Sequence, residues 1–90
     1  MESREIRLKR LHMRSMRRGT KEMDLILMGF AGAALNDLGD EDLDAYEALL
    51  DENDQDLYAW IAGQAPGPER HAGMIARIQG MFPAARAAGD

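Results

Sequence analysis

β-Branched residues are nearly absent from this chain: five Ile, one Thr and no Val stand against abundant Ala, Leu, Met, Glu and Arg. Strands draw on β-branched and aromatic side chains, whereas the common residues here lose little rotamer freedom in a helix. The composition predicts an all-α protein. Its connections are short, which favours a compact five-helix bundle with antiparallel neighbours.

At 90 residues and 10.0 kDa the folded surface should be roughly 5,200 Å², about 64% less than the extended chain exposes. That suffices for one core, so residues 1–90 read as a single domain, ordered from about 4 to 82. A net stability on the order of 5 to 13 kcal/mol leaves no room for a deep substrate cavity.

The first helix is predicted from Ser3 to Met16, with Ser3 as N-cap. At 100° per residue Arg7, Arg10, Arg14 and Arg17 fall on one stripe, expected to be solvated, while Leu8, Leu11, His12 and Ser15 pack on the other side. Gly19 interrupts the pattern. Thr20 then caps a second helix, Lys21 to Leu35, with Glu22 near its positive end. Met23, Ile26, Leu27, Phe30 and Ala34 form its core stripe, and Leu25, Met28 and Gly32 make a second apolar side that is either sandwiched or offered to a partner.

The third helix spans Asp40 to Glu52, with Gly39 as N-cap, Leu38 stapled to Leu43, and Leu43, Tyr46, Leu49 and Leu50 buried. Asn53 or Asp54 caps a short fourth helix carrying Leu57, Tyr58, Trp60 and Ile61, which Gly63 ends in a left-handed conformation. Pro68 suits the first turn of a fifth helix, whose Met74, Ile75, Ile78, Met81 and Phe82 face the core, and the tail beyond Pro83 is expected to fray.

Charge is unevenly placed. Residues 1–24 carry +4 and the rest −9, so a basic end faces an acidic body. With no cysteine there is neither a disulfide framework nor a thiolate nucleophile. The acidic start Met1 to Glu5 argues against a leader peptide, and the uncharged run Leu25 to Leu35 is too short to insert in a bilayer. The cytoplasm is the expected compartment.

Catalytic groups are scarce. His12 and Ser15 share a helix face but have no orienting acid, so they read as structural, and no catalytic or metal-binding residue is expected. The run Asp51 to Asp56 lacks the central glycine and terminal glutamate of a calcium loop and reads as capping and solvation. Gly29, Gly32 and Gly39 do not have phosphate-loop spacing. The arginine stripe on a helix-Gly-helix unit supports one alternative, a small nucleic-acid-binding or antitoxin-like protein, but a pI of about 4.9 opposes it. Met13, Met16, Met23 and Met28 cluster near the basic turn, mostly as core filler.

Two motifs point further. Arg18-Gly19-Thr20-Lys21-Glu22 has the form R-G-x-x-E, and Asp54-Gln55-Asp56-Leu57-Tyr58-Ala59-Trp60 reads D-x-D-L-Y-x-W. Together, over about residues 4–82, they resemble the succinate dehydrogenase assembly factor 2 family of flavinylation factors. The resemblance implies a chaperone, not an enzyme, that binds the flavoprotein subunit of succinate dehydrogenase and promotes covalent attachment of FAD to it, with the fumarate reductase flavoprotein as a second candidate client. The factor itself would hold no cofactor stably. Arg18, Gly19 and Glu22 would lie at the client interface, with Arg17 and Arg14 as supporting electrostatics. Gly19 would serve through a positive φ or by letting a partner backbone approach. Gln55 in place of a frequent proline and Met23 in place of a frequent leucine leave that interface intact.

Overall fold

The computed structural model describes residues 2–16 and 18–81. Helices α1 (Arg4–Arg14), α2 (Lys21–Ala34), α3 (Asp40–Leu50), α4 (Asp54–Ala62) and α5 (Ala72–Met81) follow in order. Single 3-10 turns lie at Leu35–Asp37 and Glu69–His71, and among the described residues there is no strand. The fold is all-α, as its composition dictates. Its surface of 5542 Å² is near that expected for a chain of this mass.

Local chemistry sets most boundaries. Ser3 Oγ accepts from the Ile6 amide at 3.2 Å, Thr20 Oγ1 from Met23 at 3.2 Å, and Asn53 Oδ1 from Asp56 at 2.9 Å. Each oxygen satisfies an amide that the first helical turn leaves without a partner. Gly39 is the N-cap of α3, with Leu38 and Leu43 both buried beside it. Gly63 closes α4 at φ 82°, where a β-carbon would be strained. Helix α5 starts later than expected: Pro68, at ψ 148°, is extended and leads into the 3-10 turn, so it lies outside the helix.

Helix α2 is central and touches α1, α4 and α5. Met23, Leu27 and Phe30 meet Leu43, Tyr46, Leu49, Leu57, Ile61 and Ile78 in one core. Tyr46 is fully buried, with its ring centroid 5.4 Å from that of Phe30. Ser15 Oγ donates to the Leu11 carbonyl at 2.8 Å, which leaves Ser15 to accept from the Tyr46 hydroxyl at 2.6 Å. A buried Ser-Tyr pair thus closes the end of α1 onto α3 without an unmatched polar atom.

Several expectations are corrected. The arginine stripe of α1 is not a solvated face. Arg7 and Arg10 both reach Glu47, at 3.3 and 2.8 Å; Arg7 also bonds Asp44, and Arg14 bonds Asp51 at 2.7 Å. Helix α1 buries Leu11 and part of Leu8, and these long side chains span to the acidic helix and form a charged seam. Of the four clustered methionines only Met23 is core; Met13, Met16 and Met28 are exposed, as is Met81. The second side of α2 is uncovered, with Leu25 64% and Met28 44% exposed. Phe82 and the tail after it fall outside the described residues.

Candidate partner-binding site

Between α1 and α2 the chain turns a corner, and Arg18 fastens it from inside. Its Nε donates to Asp54 Oδ1 at 2.8 Å, Nη2 to the carbonyls of Leu50 and Glu52 at 3.0 and 3.2 Å, and Nη1 to the Arg14 carbonyl at 3.4 Å. Its backbone amide donates to Asp24 Oδ1. The Arg18 side chain is 14% exposed and that of Asp54 18%. A planar guanidinium with its donors fixed on one carboxylate and three carbonyls is a rigid staple, joining the end of α3 to the turn before α2.

Asp54 has a second role. Its other oxygen, Oδ2, accepts the Gly19 amide. A β-carbon on Gly19 would sit 2.8 Å from that same oxygen, closer than real β-carbons come. The Gly19 backbone does not have a positive φ, so the expectation of a left-handed backbone is corrected: what lies close to the glycine is the end of the Asp54 side chain, which a β-carbon there would have to shift. Asp54 is the first residue of α4 and follows directly on the Asn53 cap.

The acidic run that begins with Asp51 does more than cap and solvate. Asp51 accepts from Arg14. Glu52 accepts from His71 Nε2 and from Arg70, each at 2.8 Å, with His71 buried against Trp60 at a ring separation of 5.9 Å. The His71 hydrogen bond, followed by that of Arg70, holds the Glu52 carboxyl below its ordinary range. The α3–α4 turn therefore ties together α1, the α1–α2 corner and the start of α5.

Glu22 differs from its neighbours. It lies in the first turn of α2, exposed. Among the described residues no hydrogen bond or ion pair engages it. It lines a recess of about 380 Å³ with Thr20, Asp54, Gln55 and Tyr58, mostly apolar in its walls. A second recess, about 450 Å³, lies across the corner and is lined by Arg14, Met16, Arg18, Gly19, Asn53 and Asp54. Of the residues singled out from sequence, Arg18, Gly19 and Glu22 thus share one corner. Arg18 faces inward, Gly19 and Glu22 face out, Arg14 is paired to Asp51, and Arg17 lies outside the described residues.

Sequence reasoning did not assign Asp54, Asp24 or Glu52 to this corner. The signal for Asp54 was present, since it opens the D-x-D-L-Y-x-W motif, but nothing in the sequence says the two motifs touch. His12 and Ser15 do not act on each other: His12 Nε2 meets Asn36 Oδ1 at 3.2 Å, and Ser15 is taken by Tyr46.

Comparison with known proteins places this geometry in a family. Residues 9–82 match the family described as the flavinator of succinate dehydrogenase. The mitochondrial succinate dehydrogenase assembly factor 2 of Mycosarcoma maydis is 42% identical over 71 residues, covering 79% of this chain and 30% of the relative. Its counterpart in Candida glabrata is 45% identical over 64 residues, 68% of this chain and 42% of the relative. That of Meyerozyma guilliermondii is 48% identical over 72 residues, 77% and 53% respectively. The chain spans about half or less of the length of these relatives. A match over residues 9–82, which hold both motifs and all five helical cores, means that this chain belongs to the family of succinate dehydrogenase flavinators.

Proposed function

We propose that this protein is an assembly factor that binds the flavoprotein subunit of succinate dehydrogenase and promotes covalent attachment of FAD to it. The bond-forming groups belong to the client and the flavin. The factor contributes by holding the client with flavin and acceptor side chain in register, which lowers the barrier by orientation rather than by acid-base chemistry. FAD is cargo for the client in this reading, not a cofactor of the factor.

The observation that carries the reading is the joining of R-G-x-x-E to D-x-D-L-Y-x-W at one exposed corner, inside the region matched to the family. Arg18 is largely enclosed but lines the recess beside Gly19, and the groups most open to a partner are Glu22, Gly19 and the α4 residues Gln55 and Tyr58. The nucleic-acid alternative loses its support, because Arg7, Arg10 and Arg14 are already neutralised by α3. Among the described residues no helix is long and apolar enough to cross a membrane. The cytoplasmic placement expected from the sequence belongs to this proposal, while the names of the fungal relatives specify mitochondria.

Deletion of the gene followed by in-gel flavin fluorescence of the succinate dehydrogenase flavoprotein tests the proposal. Covalent flavin is expected to be lost and to return when this chain is supplied. Undiminished fluorescence in the deletion would refute it.

A further inference from the structure

We propose that the flavoprotein client covers the outward face of α2 as well as the corner, so that Leu25, Met28 and the bare backbone at Gly32 seat in an apolar groove of that subunit; this rests on the partner-binding reading above. At 100° per residue the buried side chains Met23, Ile26, Leu27, Phe30 and Ala31 occupy one half of the helix. The other half carries Glu22 in its first turn and then Leu25, Met28, Gly29, Gly32 and Ala33, all exposed. Three features set this face apart. Large apolar side chains stand in water, Leu25 64% and Met28 44% exposed. No charge accompanies them: residues 25–35 hold none, in a chain of which 30% is charged, whereas a face meant for solvent in such a protein would share those charges. Finally, Gly32 lies inside the helix, where glycine is less stable than alanine, yet a β-carbon there would meet nothing within 4 Å. Nothing within the molecule requires that glycine.

The occupant follows from continuity. Glu22 heads the same stripe, less than one helical turn before Leu25, and lines the corner recess with Gln55 and Tyr58. A partner seated on Glu22 therefore reaches Leu25 with no change of direction. Glu22 supplies the polar rim of the contact, and Leu25 and Met28 its apolar centre. Further along, the missing side chain at Gly32 lets the client's backbone come close to the helix. From Glu22 to Ala33 the helix runs roughly 17 Å, too little surface for a stable dimer of this chain by itself but enough to enlarge a contact already begun at the corner.

The test measures affinity for the purified succinate dehydrogenase flavoprotein, with variants of the whole chain chosen to spare its fold. Leu25→Gln and Gly32→Gln each place a polar, helix-compatible side chain on an open surface. Each is expected to weaken binding by about tenfold. The thermal midpoint should hold in Leu25→Gln and rise in Gly32→Gln, so that affinity lost beside a raised midpoint separates contact from folding. Full affinity in either variant would overturn the inference. If Glu22→Ala weakens binding in that same experiment, the corner reading stands while the α2 face drops out. Failure of the wild-type chain to bind the flavoprotein would bring down both. A wild-type dimer in sedimentation that Gly32→Gln dissolves, with flavoprotein affinity unchanged, would make a second copy the occupant and also overturn the inference.

Discussion

Asp54 and Gly19, 35 positions apart in the chain, are in direct contact: the Asp54 carboxylate accepts the Gly19 amide and lies 2.8 Å from where a β-carbon there would sit. A glycine in a loop invites the explanation of a left-handed backbone. Here the backbone is not left-handed, and the corner meets a side chain from another helix.

Gly19→Ala should destabilise the fold by about 0.5 to 1.5 kcal/mol, since the added carbon shifts the end of the Asp54 side chain and weakens one of its hydrogen bonds. Helical circular dichroism should stay nearly intact, because α1 and α2 keep their own caps at Ser3 and Thr20. Urea unfolding measures the cost, and an unchanged midpoint would mean that Asp54 moves aside freely. Gly19→Arg should likewise keep its helices while losing support for flavinylation.

Ser15→Ala removes the acceptor of the buried Tyr46 hydroxyl. An unmatched buried hydroxyl costs about 1 to 3 kcal/mol, which outweighs the gain in helix propensity of less than about 1 kcal/mol. The thermal midpoint should fall. Restoration in the Ser15→Ala, Tyr46→Phe pair would show that the hydroxyl, not the helix end, is responsible.

Acid should loosen the seam and the α3–α4 turn. The Glu47 carboxyl is held below its ordinary 4.5 chiefly by the Arg10 hydrogen bond, and that of Glu52 chiefly by His71. A folded-state value below the unfolded one means that each contributes stability above about pH 4.5, lost as pH falls through the folded value. Glu52→Gln should flatten the acid limb of stability against pH. An identical slope in the variant would remove Glu52 from the account.

Salt should weaken the docking of α1 more than that of α5. Glu47 receives Arg7 and Arg10, with Arg14 at 3.9 Å, on partly exposed side chains, where ion pairs are individually weak and lose strength as ionic strength rises. Hydrogen exchange along α1 should speed up as sodium chloride rises, and Glu47→Gln should abolish most of that dependence. Equal acceleration in α1 and α5 would count against the seam.

Much of the fold was legible from local rules. Ser3, Thr20, Gly39, Asn53 and Gly63 lie where capping chemistry puts them, because a cap is decided by residues within one helical turn. The buried stripes of α2 and α3 follow from 3.6-residue periodicity alone. Periodicity failed for the arginines of α1: it gave their common direction but not what stands opposite. It failed for Met13, Met16 and Met28 too, since hydrophobicity does not tell a core filler from an exposed contact residue.

An all-helical chain, its five segments and the two motifs that resemble a flavinylation factor are legible in the residues alone, since each is written in close neighbours. That those motifs meet follows from the packing of the whole fold. Arg18 and Asp54 are 36 positions apart, and their 2.8 Å bond exists because the core brings the start of α4 against the start of α2. Long-range contact depends on how buried faces pack, and packing is a property of the whole core rather than of any segment.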